Sequence, residues 1–161
     1  MNGKNIEKSA DKLTGAYLEP PIPVYRIARE NEVEVYTADF GKFSNRFSGL
    51  CDFENNNIYL NEKDTPERQY LTAAHEFGHW ILHREHYIAN PERYALMPKK
   101  KAFGNDNSDD PMEEEANRFA ICLLMPRLLV KKFHPHYSPS ELAEMFAIPR
   151  TLMEERLKEV L

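Results

Sequence analysis

Residues 75–79 read His-Glu-Phe-Gly-His, and this short motif constrains the fold more than any other feature of the sequence. On an α-helix, which turns about 100° per residue, His75 and His79 lie about 40° apart on one face. Two neutral imidazoles with that spacing can bind a single zinc ion. Glu76 projects beside the same face, where it can reach a water molecule on the metal without being a ligand itself. The fold must therefore bury this face and bring a third ligand to it from another element.

The helix that carries the motif has a well-defined predicted start. Pro66 suits the first helical position, and either Asp64 or Thr65 can cap the helix. We expect it to end near His83. Its apolar residues fill an arc next to the histidines: Tyr70, Leu71, Ala74, Phe77, Gly78, Ile81 and Leu82. Alternatively, the histidines are hydrogen-bonded core residues and the glutamate lies on the surface. The helical phase, the preceding strands and a suitable third ligand favour the metal.

A small sheet is predicted upstream of this helix. Residues 33–37 alternate in polarity and are rich in β-formers, and residues 47–53 and 57–60 have the same character. An asparagine-rich turn at 54–57 joins the last two strands, and a short helix is expected at 24–30. These patterns predict an α+β fold in which a short antiparallel sheet packs on the motif helix.

The sequence beyond the motif is mainly helical in pattern. Residues 84–110 have little periodicity and are expected to form a long loop. Three helices are then expected, starting near Asp110, Ser138 and Arg150, because prolines interrupt the pattern between them. The chain is expected to form one domain with three parts: a polar N-terminal arm at 1–19 containing a short helix, a core at 20–126, and a C-terminal helical extension at 127–161.

Composition excludes several classes of protein. The chain has 161 residues and a formal net charge of -5, whereas a protein that coats nucleic acid carries a basic excess. No apolar run approaches the roughly 20 residues of a membrane-spanning helix, and the N-terminus has no apolar secretion signal. Cys51 and Cys122 form neither a disulfide framework nor a Cys-x-x-Cys metal pair. We therefore expect a cytoplasmic protein with no membrane contact and no direct binding to nucleic acid.

Two segments of the sequence resemble the ImmA/IrrE family of metallopeptidases. Residues 70–83, Tyr-Leu-Thr-Ala-Ala-His-Glu-Phe-Gly-His-Trp-Ile-Leu-His, are similar to the active-site helix of that family. Residues 113–126 are similar to its second signature, E-x-x-A-N-x-F-A followed by L-L-M-P. The resemblance covers roughly residues 20–160. One departure is the long segment 84–110 between the two motifs.

The resemblance implies a zincin-like core and a zinc-dependent endopeptidase of the gluzincin type. It implies His75, His79 and Glu113 as ligands of one zinc ion and Glu76 as the catalytic glutamate. Characterised relatives cut a helix-turn-helix transcriptional repressor and so derepress phage, mobile-element or stress-response genes. Because no DNA-binding domain is expected at the N-terminus of this chain, the repressor is expected to be a separate protein.

Helical phase independently favours Glu113 over the two glutamates that follow it. Glu113 falls within the apolar stripe of its helix, while Glu114 and Glu115 point about 100° and 200° away from it. A carboxylate on a buried stripe is costly unless it is paired or binds a metal. Asn117 lies one turn further on, where it can hold a ligand imidazole. Alternatively, all three glutamates merely favour the helix N-terminus. We expect alanine at Glu113 to abolish zinc binding, and alanine at either neighbour to preserve it.

The sequence also bears on the oxyanion donor, the substrate edge and an alternative function. A donor to the developing oxyanion is needed, and His83, Tyr94 and Tyr59 are candidates. An extended substrate is expected along the edge of residues 57–60. The alternative function is a non-catalytic, metal-stabilised regulator, such as an anti-repressor or a toxin–antitoxin-like partner-binding protein. Residues 142–153 resemble a helix-turn-helix and support that alternative, although the acidic residues that follow disfavour direct contact with DNA.

Overall fold

The computed structural model describes residues 3–91 and 110–161 and the backbone of residues 97–100. The fold is α+β, as predicted, with a small sheet packed on the motif helix. Its helices are α1 (Gly3–Thr14), α2 (Val24–Glu30), α3 (Pro66–Ala89), α4 (Pro111–Leu124), α5 (Arg127–Phe133), α6 (Pro139–Phe146) and α7 (Arg150–Val160). Its strands are β1 (Glu34–Ala38), β2 (Phe47–Asp52), β3 (Asn57–Asn61) and β4 (Met97–Lys100). No helix among the described residues is long and apolar enough to cross a bilayer.

The sheet is mixed, which corrects the expectation of an antiparallel sheet. Its strand order is β1-β3-β2-β4, with β1 parallel to β3 and β2 antiparallel to both β3 and β4. Residues 39–46 connect β1 to β2, which is not its neighbour in the sheet. A tight turn after β2 then leads into β3, which lies between β1 and β2. Because β3 is an inner strand, the predicted substrate edge at 57–60 is wrong.

Helix α3 starts where the sequence predicted and ends later. The Thr65 hydroxyl accepts a hydrogen bond from the Arg68 backbone N–H at 3.3 Å, and Pro66 is the first helical residue. The helix continues to Ala89 because Tyr87 is buried and its ring stacks near Phe53, with ring centroids 4.2 Å apart. The expected loop at 84–110 is therefore wrong for 84–89, which are helical, and for 97–100, which form β4.

The N-terminal segment is a packed helix, whereas the sequence predicted a polar arm with only a short helix in it. Helix α1 buries Ile6 and Ala10 against the core. Its Glu7 carboxylate binds the guanidinium of the buried Arg156 on α7, with an Nη2–Oε1 distance of 2.6 Å. Helix α1 has few buried apolar residues, and the Glu7–Arg156 ion pair adds to its attachment to the core.

Helices α6 and α7 form as predicted, α5 is a helix that the sequence did not predict, and all three pack on the core. A capping box between Ser138 and Glu141 starts α6, and Ala147, with φ 54°, ends it in the left-handed region. Helix α7 follows Pro149. The buried apolar residues on these helices are Leu129, Val130, Leu142, Ala143, Phe146, Met153, Leu157 and Val160.

Candidate metal centre

Helix α3 places His75 and His79 one turn apart on its buried face. Their side chains are 0% and 4% exposed. The two Nε2 atoms lie 3.0 Å apart, and the ring planes meet at 78°. The two imidazoles therefore converge on one point, as the spacing in the sequence predicted.

Helix α4 brings Glu113 to the same point. Its Oε1 lies 2.9 Å from His79 Nε2, and its Oε2 lies 3.3 Å from His75 Nε2. The two helices approach closely at Gly78, where a Cβ would lie 3.0 Å from a ring carbon of Phe119 and 3.1 Å from the backbone oxygen of Ala116. The absence of a side chain at Gly78 thus lets a glutamate on one helix reach the histidines of the other.

The donor atoms of this trio suit a metal ion. His75, His79 and Glu113 offer ligand atoms that all lie within 4.8 Å of one another. The Nδ1 atom of His75 lies 2.8 Å from Asn117 Oδ1, so we assign its hydrogen to Nδ1 and a lone pair to Nε2. The Nδ1 atom of His79 also has hydrogen-bonding partners behind the ring. Two imidazole lone pairs and a carboxylate therefore face one another, an arrangement that a cation stabilises and that zinc favours.

The surroundings keep the third ligand ionised. Burial raises the pKa of Glu113, but the adjacent His75 and His79 side chains lower it by more, so this pKa lies well below its usual range. Burial also lowers the pKa of His83 to about 4, with a further lowering by the adjacent His79. At neutral pH, Glu113 is a carboxylate and His83 is a neutral imidazole.

Glu76 lies next to the trio on α3 and beneath the sheet. It is 1% exposed, and its Cγ lies 3.5 Å from the point where a Cβ on Gly49 would stand. The same Cβ would lie 2.5 Å from Thr72 Cγ2. Strand β2 can therefore lie directly over this part of α3 only because residue 49 has no side chain. Glu76 is adjacent to the ligands in sequence without belonging to the trio.

The other predicted site residues have different locations. Leu60 is on the face of the sheet that packs on α3. Its neighbour Tyr59 is on the opposite face. Its ring stacks on Tyr36 at 5.8 Å and its hydroxyl accepts a hydrogen bond from Asn57. The structure therefore does not bring Tyr59 to the trio. Tyr94 lies outside the described residues.

Two residues beside the trio were missed by sequence reasoning. Glu115 does not point to solvent as its helical phase predicted, since its Oε2 lies 2.9 Å from His83 Nε2 and its side chain is 17% exposed. The hydroxyl of Tyr87 lies 3.2 Å from His79 Nδ1, although the sequence predicts a loop for the segment that contains Tyr87. A signal for Tyr87 existed, because residues 75, 79, 83 and 87 form one row at helical spacing.

Known proteins that are similar to this chain include two that are longer than the matched region. The chain is 29% identical over 92 residues to the radiation response metalloprotease IrrE of Deinococcus radiodurans, an alignment covering 57% of this chain and 26% of that protein. The structure is similar to a Mycobacterium tuberculosis transcriptional regulator, with a TM-score of 0.62 and 12% identity over 95% of this chain and 46% of that one. The chain thus spans about a quarter of the first and less than half of the second. The second likeness concerns the fold alone.

A family model matches most of the chain. The match runs over residues 28–158 and includes both helices that supply the trio. With its α+β fold and its cluster of two histidines and a glutamate, the chain belongs to the Peptidase_M78 family, that of the IrrE N-terminal-like domain.

Proposed function

We propose that this protein is a zinc-dependent endopeptidase that cuts a helix-turn-helix transcriptional repressor in the cytoplasm. The observation that carries the proposal is the convergence of His75 Nε2, His79 Nε2 and the Glu113 carboxylate beside the buried Glu76. A zinc ion held by these three side chains would still have room for water or substrate, as in catalytic zinc sites.

Each residue has a distinct task in this proposal. His75, His79 and Glu113 hold the zinc ion, which when bound polarises the scissile carbonyl and lowers the pKa of water to about 7. Glu76 accepts the proton of the attacking water and delivers it to the leaving amide nitrogen. Asn117 holds the ring of His75 by accepting a hydrogen bond from its Nδ1.

The repressor as substrate is supported by the family resemblance, in which characterised members cut such proteins. An extended substrate segment pairs most readily with an edge strand. Among the described strands, β4 is the edge next to β2, the strand whose Gly49 lies against Glu76. We therefore place the scissile segment along β4, in place of the inner strand β3.

The test is incubation of zinc-loaded protein with the helix-turn-helix repressor encoded beside its gene, followed by mass spectrometry of the products. We expect one or a few cleavage sites, with loss of cleavage on adding a chelator. Glu76→Gln preserves the size of the side chain and removes the base, so we expect it to retain zinc and lose cleavage by a factor of about 10² or more.

The same experiment distinguishes the alternative, a regulator in which metal only stabilises the fold. That alternative predicts that wild type and Glu76→Gln bind the repressor equally and leave it intact. Cleavage by Glu76→Gln at the wild-type rate would overturn the proposed role of this residue.

A further inference from the structure

The residues behind His79 form a chain of contacts that leads away from the metal trio. His79 Nε2 faces Glu113, and His79 Nδ1 on the other side of the ring lies 3.1 Å from His83 Nδ1. His83 Nε2 lies in turn 2.9 Å from Glu115 Oε2. The Tyr87 hydroxyl also lies 3.2 Å from His79 Nδ1. His75, by contrast, has a neutral amide, Asn117, at the corresponding position.

Chemistry restricts where the hydrogens of this chain can lie. The carboxylate of Glu115 only accepts, so His83 carries its hydrogen on Nε2. When the His83 ring is neutral, its Nδ1 atom then has a lone pair. A hydrogen bond between the two Nδ1 atoms therefore requires that the hydrogen belong to His79. That tautomer leaves a lone pair on His79 Nε2, the atom that faces Glu113.

We infer that Glu115, His83 and Tyr87 are positioning residues that hold His79 in its Nδ1–H tautomer, with Nε2 directed at the metal. The inference rests on the proposed function only in taking His79 as a metal ligand. The carboxylate at the end of the chain makes His79 a stronger donor to zinc, because a carboxylate–histidine contact raises the basicity of the imidazole. The two ligand histidines thus differ: a charged chain supports His79, and a neutral amide supports His75.

The first test reads the tautomers directly. Long-range ¹H–¹⁵N NMR of the metal-free and zinc-loaded protein above pH 7 assigns the protonated nitrogen of each ring. We expect His83 to be protonated on Nε2 and His79 on Nδ1 in both forms. A His83 ring protonated on Nδ1 would overturn the inference.

The second test measures the affinity for Zn²⁺ by competition with a chelator. Glu115→Ala removes the acceptor, so in place of the preserved zinc binding that helical phase predicts, we expect its affinity to fall about 10- to 100-fold. Glu115→Gln retains an acceptor oxygen but loses the charge, so we expect it to recover part of that loss. The adjacent Glu114→Ala, at an exposed position of the same helix, should bind Zn²⁺ as wild type does.

Several outcomes decide the matter. Equal Zn²⁺ affinity in wild type and Glu115→Ala overturns the inference, and so does a Glu115→Gln variant that binds Zn²⁺ no better than Glu115→Ala. The melting temperature of each metal-free variant identifies general unfolding, and if Glu115→Ala unfolds, the wild-type tautomers decide. Neither test uses a substrate, so failure of the proposed peptidase activity and failure of this inference are distinguishable.

Discussion

Three consecutive glutamates begin α4, and each has a different environment. Glu113 contacts both ligand histidines, Glu114 is exposed, and Glu115 contacts His83. Two of the three carboxylates thus face α3, although helical phase favoured only one. A helical wheel does not show the neighbouring helix: α3 places His83 one turn beyond His79, and its Nε2 lies 2.9 Å from Glu115 Oε2.

The comparison of Glu113→Ala with Glu114→Ala tests the third ligand. We expect Glu113→Ala to lose stoichiometric zinc and all peptidase activity, because two imidazoles alone hold the ion weakly. Glu114→Ala should retain both. Elemental analysis of the purified proteins gives the zinc content. Zinc retained at one equivalent by Glu113→Ala contradicts the assignment.

The close contact between α3 and α4 at Gly78 positions Glu113 relative to His75 and His79. Gly78→Ala adds a Cβ that meets Phe119 and the Ala116 backbone at 3.0–3.3 Å. Backbone atoms cannot rotate away, so α4 must shift and Glu113 with it. We expect weaker zinc binding and a loss of up to about 2 kcal/mol in the free energy of unfolding, since overpacking costs more than alanine gains in helix propensity. Calorimetry and zinc titration measure the two effects.

Gly3→Ala is the matched control for Gly78→Ala. Gly3 is also helical, and nothing lies within 4 Å of the position that its Cβ would occupy. We expect this variant to bind zinc normally and to be no less stable than wild type. Equal behaviour of the two variants would mean that the close approach at Gly78 does not control the site.

The contact of α1 with α7 predicts a pH-dependent stability. Burial raises the pKa of Glu7, but the guanidinium groups of Arg156 and Arg127 lower it by more, so its pKa lies below the usual value of about 4.3. The pairing therefore stabilises the fold above that value, and its contribution disappears as the pH falls through the lower pKa of the folded state. We expect Glu7→Gln to cost about 2 kcal/mol at pH 7 and progressively less below pH 4.

Urea denaturation at pH 7 and pH 3 measures this difference. Glu154→Gln on α7 is the control, because its partner Arg150 is two-thirds exposed. Such a surface pair contributes less than about 1 kcal/mol. A cost for Glu7→Gln that is the same at both pH values contradicts the assignment of the effect to ionisation.

Local rules predicted the elements whose ends depend on nearby residues. The start of α3 follows from the cap at Thr65 and from Pro66, and the start of α6 follows from its capping box at Ser138. The end of α3 depends instead on the burial of Tyr87 against Phe53, a contact between residues far apart in sequence. The apolar pattern of the helix ends near His83 and does not predict that contact. Only the row of residues 75, 79, 83 and 87 continues to Tyr87.

Features that depend on the order of elements in space could not be predicted. The parallel pairing of β1 with β3 depends on where the chain crosses, since alternation of polarity is the same in either direction. In the site, the His75–His79 pair follows from spacing alone, and Glu113 follows from its position on a buried stripe. The contact of Glu115 with His83 could not be predicted, because the sequence does not show that α3 lies beside α4.

The sheet packs on α3, and the N-terminal and C-terminal helices pack beside α4. The sheet covers α3 through Gly49, and α1 packs against α4. Helix α7 is joined to α4 by the Arg118–Glu159 ion pair and to α1 by the Glu7–Arg156 ion pair. Among the described residues, the trio itself comes from α3 and α4. We therefore expect changes in the N-terminal or C-terminal helices to alter metal binding by the trio, by allowing α4 to move.

The C-terminal helices also bear on whether the protein binds DNA. Helices α6 and α7 resemble a helix-turn-helix in sequence, but α7 buries Met153, Leu157 and Val160 in the core. Two of its basic residues are engaged in ion pairs: Arg156 is buried against Glu7, and Arg150 pairs with Glu154 at 2.7 Å. DNA affinity derives largely from cations that neutralise phosphates, and the chain has a net charge of -5.

We therefore expect no retention of random-sequence duplex DNA in gel shifts at physiological salt. A repressor that binds its operator under the same conditions is the positive control. Adding this protein to the repressor–operator complex should release the DNA only when zinc and Glu76 are both present, because release then follows from cleavage. A retained complex of this protein with DNA that weakens steeply as salt increases would contradict the prediction, because that dependence is the signature of phosphate contacts.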